Sequence, residues 1–298
     1  MPALLKNVIL VGGAGNIGKA ILTALTSSGQ FNVSVLSRKS STATFPEGIT
    51  VHKTDYTPAS LAVALKGQDA IVSAIGAQGL EDLQIALIDA AILVGVKRFI
   101  PSEYGCDLAH PKTLSMAPVY GQKKHVTDYL KSKQDKIEWT VLSTGLFADW
   151  LIHSGGLTID LKESTATIWD EGTTPFATTT LRDIGTAIVG ILTHPTETTN
   201  KDIYIASAIP TQNELVAVLE KKQGKIWTKK HVKLQEEVGK ANAELAKGNI
   251  AAAGLPLVLS TLFDGCGADF LGNGRVLSNT LLGLPEPNLE AMLKSVGL

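Results

Sequence analysis

The sequence predicts a doubly wound α/β fold: a parallel sheet covered by helices on both faces, with a smaller helix-rich part toward the carboxyl terminus. Three observations predict it. Short Val- and Ile-rich runs alternate with helical patterns through the first half; those runs are nearly continuous in apolar residues; and the first of them breaks into a glycine-rich turn. Strands buried on both faces and joined by crossover helices carry this signature, because each crossover packs a helix back onto the sheet.

Taken in order, strands are predicted at 8–11, 33–36, 49–52, 70–74, 98–100 and 139–142. A helix is predicted over 118–131, another over 182–193, and a further strand at 203–205. Thr211 and Glu214 then form a T-x-x-E capping box ahead of Leu215, Val216, Val218 and Leu219, which marks the start of the next helix. From there the chain reads as helix-rich to Leu298, with glycine-rich breaks at 264–274.

Composition narrows the possible partners. Lys and Arg number 27 against 28 Asp and Glu, a formal net charge of −1, and the basic residues are scattered among acids, so a nucleic-acid surface is not expected. Hydrophobic residues at 44% and charged residues at 18% suit a chain that buries a sizeable core. Cys106 and Cys266 are too few and too isolated for a disulfide framework or a Cys-based metal site. The longest apolar stretch, 85–96, is interrupted by Asp89 and falls short of the roughly 20 residues a membrane span requires. The apolar amino-terminal run leads straight into glycines as a buried strand does, not as a signal peptide. A soluble protein of the reducing cytoplasm is expected.

Between the first strand and the first helix, Gly12-Gly13-Ala14-Gly15-Asn16-Ile17-Gly18 sets three glycines in a G-x-x-G-x-x-G pattern. In a βαβ unit this turn binds a dinucleotide. One glycine permits the tight turn, one lets the backbone approach the pyrophosphate, and one seats the helix against the sheet, while the helix head offers unpaired N–H donors. The predicted fold is therefore Rossmann-type. An acid at the end of the second strand would meet a free ribose 2′-hydroxyl, whereas Ser37-Arg38-Lys39 offers two cations to a 2′-phosphate, so NADPH is expected rather than NADH. Asp55 ends the third strand, where it either faces the adenine or caps the helix begun near Pro58. Ala74 and Ile75 end the fourth and run beneath the dinucleotide. The division that follows is a dinucleotide-binding domain at 1–155, rejoined by 176–207, and a smaller substrate domain at 208–298 with 156–175.

The helix over 118–131 carries two candidates for proton chemistry. Tyr120 and Lys124 make Y-x-x-x-K, in which an ammonium lowers a tyrosine's pKa; alternatively Lys123 acts alone as general acid or base. At about 100° per residue, Val119, Val126 and Leu130 share a stripe, with Lys123 roughly 40° from its centre, Tyr120 roughly 100° and Lys124 roughly 140°. Lys123 should therefore point inward, where desolvation lowers a lysine's pKa toward the range of a general base. After the sixth strand, Phe147, Trp150 and His153 are candidates for the wall of a pocket that takes a flat aromatic ligand, and Ser102 and Glu103 end the fifth strand near the same crevice.

The glycine run, Arg38, Pro101-Ser-Glu-Tyr-Gly105, Tyr120-x-x-Lys123 and the segment from Thr211 to Gly224 together resemble the isoflavone reductase-like proteins, in the NmrA-like branch of atypical short-chain dehydrogenases. The resemblance reaches to about Val232 and is weaker beyond. It implies NADPH-dependent reduction of aromatic, phenylpropanoid-type secondary metabolites: enones, benzylic ethers and quinone-methide-like intermediates. It also implies that Lys123 is the general acid/base. One departure is Thr127, where the plant reductases often carry Arg. Two rival readings stand beside this one: an extended short-chain dehydrogenase or epimerase that uses Tyr120 and Lys124, and a regulatory protein that senses the dinucleotide without hydride transfer.

Overall fold

In the computed structural model, which describes residues 5–76, 79–154 and 158–298, the first strand β1 (Asn7–Val11) sits at the centre of the sheet. The expected domain boundary at 155 lies outside the described residues. Along β1, Val8 and Leu10 enter one apolar core and Ile9 and Val11 the other, so the period-2 alternation of a strand buries both faces. The remaining strands are β2 (Asn32–Arg38), β3 (Thr50–Thr54), β4 (Ala70–Ser73), β5 (Arg98–Ile100), β6 (Glu138–Ser143), β7 (Leu146–Phe147), β8 (Ile159–Asp160), β9 (Thr165–Trp169), β10 (Thr178–Thr179), β11 (Lys201–Tyr204) and β12 (Thr228–Val232).

Seven of these form one sheet in the order β11-β6-β5-β4-β1-β2-β3, with every neighbour parallel. The order reverses between β4 and β1. Crossovers leave that point in opposite directions and open a crevice at the carboxyl ends of those two strands. The predicted sheet strands all form, with ends shifted by one or two residues: β4 stops at Ser73, and β11 begins and ends before the expected 203–205.

Helices α1 (Asn16–Ser27), α2 (Pro58–Leu65), α3 (Leu80–Val94), α4 (Thr113–Met116), α5 (Pro118–Ser132), α6 (Ala148–His153) and α7 (Leu181–Thr193) come first. They are followed by α8 (Pro195–Thr198), α9 (Gln212–Gln223), α10 (Leu234–Ala246), α11 (Ile250–Phe263) and α12 (Leu289–Ser295). On one face of the sheet, Ile21 and Leu25 of α1 pack with Ile184 and Ile188 of α7; on the other, Leu61, Leu87, Val126 and Leu130 come from α2, α3 and α5. Each fully buried aliphatic side chain here removes about 1.5–3 kcal/mol of apolar surface cost from the folded state. A third core lies under the later helices and includes Leu215 and Leu219 of α9 as well as Leu257 and Leu262 of α11. The capping box at α9 forms as predicted: Thr211 accepts from the Glu214 N–H, and the Glu214 carboxylate accepts from the Thr211 N–H at 2.8 Å.

The stretch beyond Thr211 is helix-rich as expected and adds one strand, β12, which pairs in parallel with β9, itself antiparallel to β8. Its sequence Thr-Lys-Lys-His-Val is mostly exposed and has no apolar alternation, so backbone pairing rather than burial makes it a strand. One expectation needs correction: Tyr120, placed far from the buried stripe of its helix, is only 3% exposed. Helix α5 is covered on two sides: Val126 and Leu130 face the sheet core, while Val119 and Tyr120 face the core beneath α11. A single-stripe reading cannot anticipate a helix shared between two cores. Among the described residues, no helix is long and apolar enough to cross a membrane.

Candidate active site

The crevice begins at the glycine turn. Gly12 has φ of +80°, and a Cβ there would stand 2.3 Å from the Ala74 carbonyl oxygen; a Cβ on Gly18 would stand 2.1 Å from that of Gly12. Only glycine lets the turn lie against β4 and lets α1 close on the turn. Gly15 is the N-cap of α1, where it supplies no side-chain cap, and no acid stands in the first turn. The helix head therefore presents backbone N–H donors and its partial positive charge outward, with Ala14, Gly15 and Asn16 exposed.

A groove of about 310 Å³ runs from this turn to the end of β2, lined by Gly12, Gly13, Ala14, Gly15, Arg38 and Ala74 among others. Ser41, Phe45 and Tyr56 also line it, and sequence reasoning passed over them. The first two stand in a loop without periodicity. Tyr56 follows β3 at φ of 63°, a left-handed conformation that no sequence pattern announces. The two cations of Arg38-Lys39 part company. Lys39 pairs with Asp55 at 2.7 Å, whereas Arg38 enters no ion pair among the described residues.

Asp55, expected either at the adenine or as a cap, takes the second kind of role. Its Oδ1 accepts from the Thr57 N–H and hydroxyl, and Thr57 in turn caps α2 through the Ser60 N–H. Asp55 does not line the groove. Hydrogen bonds from Lys39 and Thr57 hold its carboxyl well below the usual carboxylate range. A carboxylate so engaged has little left to offer a ligand.

Ile75 and Gly76 line both this groove and a second cavity of about 300 Å³, so the two spaces adjoin. Ile17 lines the second cavity, while Gly18 is buried in the turn's packing. Ser102 fixes the floor, its hydroxyl donating to the Ile75 carbonyl at 2.7 Å and its N–H to the buried Gln84 at 2.7 Å. Phe147 and Trp150 line the cavity edge to face, ring centroids 5.4 Å apart. Opposite them stand Leu255, Val258, Leu259 and Leu262 of α11, a wall the sequence analysis did not assign. The run of apolar residues in α11 was the available signal, but nothing in the sequence says which cavity it closes.

Lys123 opens into this cavity with its side chain 15% exposed. Its ammonium donates to the Glu103 backbone carbonyl and lies 3.5 Å from Glu103 Oε1. A Cβ on Gly105 would come within 3.3 Å of the amine, so the glycine leaves room for it. Tyr104, between Glu103 and Gly105 in the chain, has φ of 35°, in the left-handed region. Burial raises the Glu103 pKa, with Lys123 and Thr127 pulling it partway back.

The alternative pair is not assembled. Tyr120 contacts Cys106 Sγ at 3.3 Å, and burial pushes its pKa well above the usual value, the wrong direction for a proton donor activated by an ammonium. Lys124 bonds Asp128 on the outer side of α5 at 2.6 Å. Burial likewise pushes the Cys106 thiol up to about 11. His153 is a further correction. It is exposed, its Nε2 meets the Val296 carbonyl at 2.8 Å, and it does not line the cavity. It is the last residue of α6, where the carboxyl-terminal segment engages its imidazole.

A parallel sheet that reverses at β4/β1, a glycine turn in the crevice and an adjoining apolar chamber define a doubly wound α/β protein of the dinucleotide-binding type. Comparison with known proteins narrows this further. Residues 5–251 match the NmrA-like family, and the chain belongs to it. Oxidoreductase aprR of Aspergillus flavus is 36% identical over 97% of this chain and 98% of its own length. Phenylcoumaran benzylic ether reductase Betv6 of Betula pendula is 31% identical, covering 76% of this chain and 78% of that protein. Among solved structures, leucoanthocyanidin reductase of Vitis vinifera in binary complex with NADPH has a similar fold. Its TM-score is 0.78 at 22% identity, covering 97% of this chain and 99% of that one.

Proposed function

We propose that the chain is an NADPH-dependent reductase of aromatic or conjugated secondary metabolites, with Lys123 as its general acid/base. One observation carries the reading: the amine of Lys123 opens into an apolar, aromatic-walled cavity that adjoins the glycine groove at Ile75 and Gly76. The relatives' names, an oxidoreductase and a benzylic ether reductase, support the same chemistry.

The residues present fit the cofactor. The uncapped head of α1 with Gly13, Ala14 and Gly15 would hold the pyrophosphate, Arg38 the 2′-phosphate through its forked guanidinium, and Ala74 and Ile75 the floor beneath it. Bound there, NADPH supplies a hydride. The chain's own part is to position the substrate and exclude water with Phe147, Trp150 and α11, and to hold a proton at Lys123 Nζ for the atom that gains negative charge. The bond to the Glu103 carbonyl keeps that amine from turning out to solvent. The proposed division of labour places the groove in a dinucleotide-binding domain and the α11 wall in the smaller substrate domain.

The test supplies NADPH deuterated at the reactive nicotinamide carbon with a panel of aromatic enones, benzylic ethers and quinone-methide precursors. One deuterium should appear in a single product class. Tight NADPH binding with no transfer to any compound would instead favour a dinucleotide sensor.

A further inference from the structure

We propose that Glu103 relays protons to Lys123 from a second cavity behind it, so that the amine is recharged from the side away from the substrate. The inference rests on the reductase reading above.

Glu103 borders two spaces. Toward α11 it lines the substrate cavity with Lys123; on its other side it lines a separate hollow of about 240 Å³ that also includes Thr127, Ser143, Asp128, Lys131 and Asp202. A hollow of that size, with charged side chains along part of its lining, accommodates several waters, each occupying about 30 Å³ in the liquid. Asp202 is exposed and Lys131 partly so, and they pair with each other at 2.8 Å, so the hollow reaches the surface between α5 and β11. The carboxyl of Glu103, itself 2% exposed, joins the two spaces. Oε1 lies 3.5 Å from Lys123 Nζ and has no hydrogen-bond partner among the described residues, while Oε2 accepts from the Thr127 hydroxyl at 3.4 Å.

The other charged groups around this carboxyl are paired among themselves, which leaves it to Lys123. From α5 it faces Lys123, with Lys124, Asp128 and Lys131 farther out; from β11, Asp202 and Tyr204; from its own loop, Cys106. Lys124 is neutralised by Asp128 and Lys131 by Asp202. Lys123 is thus left as the cation that Glu103 answers to. Burial lifts the carboxyl's pKa, which suits a group that must hold a proton between turnovers.

The balance closes. Hydride addition leaves negative charge on the substrate, and the Lys123 ammonium gives it a proton, becoming a neutral amine. The Glu103 O–H bond breaks to restore the ammonium and leaves a carboxylate. A hydronium ion in the hollow reprotonates that carboxylate and becomes water. Each turnover takes one hydride from the cofactor and one proton from solvent.

Two measurements on the full chain test it. In the ligand-free protein, the infrared difference between wild type and Glu103→Gln should contain a protonated-carboxyl band that persists above the ordinary glutamic acid range and fades as pH rises further. This arm needs no substrate, so it fails or succeeds independently of the reductase reading. In turnover, Glu103→Gln should lower kcat roughly ten- to hundredfold with little change in KM and enlarge the solvent deuterium isotope effect on kcat. Thr127→Val, a near-isosteric change, should enlarge the isotope effect to a smaller degree should Glu103→Gln fold poorly. The relay is overturned by absence of the carboxyl band, or by an isotope effect equal to that of wild type in both variants.

Discussion

Lys39 Nζ lies 2.7 Å from Asp55 Oδ2 across the ends of β2 and β3, and this pairing leaves Arg38 as the cation that lines the groove. Adjacent basic residues that look equivalent in the sequence are therefore unequal. Arg38→Asp should weaken NADPH by roughly a hundredfold, the worth of about 3 kcal/mol of charge-assisted hydrogen bonding. It should weaken NADH far less, because NADH lacks the phosphate the guanidinium would grip. Lys39→Ala should cost NADPH only a few-fold, its amine being engaged already. Fluorescence titration with both cofactors measures the ratio. Equal losses for NADPH and NADH in Arg38→Asp would remove the 2′-phosphate from the argument.

Lys123→Met keeps the length and apolar stem of the side chain while deleting its proton. Turnover should fall by about 10²–10⁴, the usual contribution of a positioned general acid or base. NADPH affinity should hold within a few-fold, because Lys123 lines the substrate cavity and not the glycine groove. Stopped-flow oxidation of NADPH, with binding measured separately, distinguishes the two effects. Retained turnover would strip Lys123 of its role.

Much of this was legible in the sequence where a local pattern and a global requirement coincide. The apolar runs gave the sheet because a strand buried on both faces can have few other compositions, and the glycine spacing gave the crevice because a Cβ at Gly12 or Gly18 collides with backbone. Helical geometry turned Lys123 inward, and it lines the cavity. The same geometry misjudged Tyr120, since the angle from one stripe says nothing about a second core arriving from α11. His153 was misjudged, and the two roles open to Asp55 could not be told apart, for a related reason: their partners, the Val296 carbonyl and Lys39, lie 143 and 16 positions away in the chain. Such pairings appear only once the fold has brought distant segments together.

Gly15 and Gly18 should respond differently to alanine. At Gly18 the new methyl would stand 2.1 Å from the Gly12 carbonyl oxygen, and neither backbone can yield without unseating α1 from the turn. A loss of roughly 1–3 kcal/mol of stability, together with most of the NADPH affinity, is expected from such overpacking. At Gly15 the nearest atom would be 3.4 Å away, an ordinary contact, so the protein should fold with nearly unchanged stability. Its methyl would still enter the path of the pyrophosphate and weaken the cofactor. Thermal unfolding and cofactor titration of both variants measure the contrast; equal destabilisation would show that the turn is looser than its geometry implies.

Asp69 provides a pH test far from the site. It accepts from the N–H groups of Lys6 and Asn7 at 3.0 and 2.8 Å and pairs with Lys97 at 2.7 Å, tying the start of β1 to the approach to β4. Partial burial alone would raise its pKa, but the bonds from Lys97 and the two N–H groups outweigh that and hold it below the ordinary 3.8. A carboxyl with a depressed pKa in the folded state stabilises the protein fully above its unfolded value, and that stabilisation is lost as pH falls through the folded value. Asp69→Asn should therefore cost about 1.5–3 kcal/mol near neutral pH, the worth of hydrogen bonds to a charged acceptor. The gap between wild type and variant should narrow steadily below pH 4 or so as the wild-type carboxyl takes up its proton. Urea unfolding midpoints across the acid range measure it, and a gap that stays constant down to the acid limit would show that Asp69 acts through shape and not through charge.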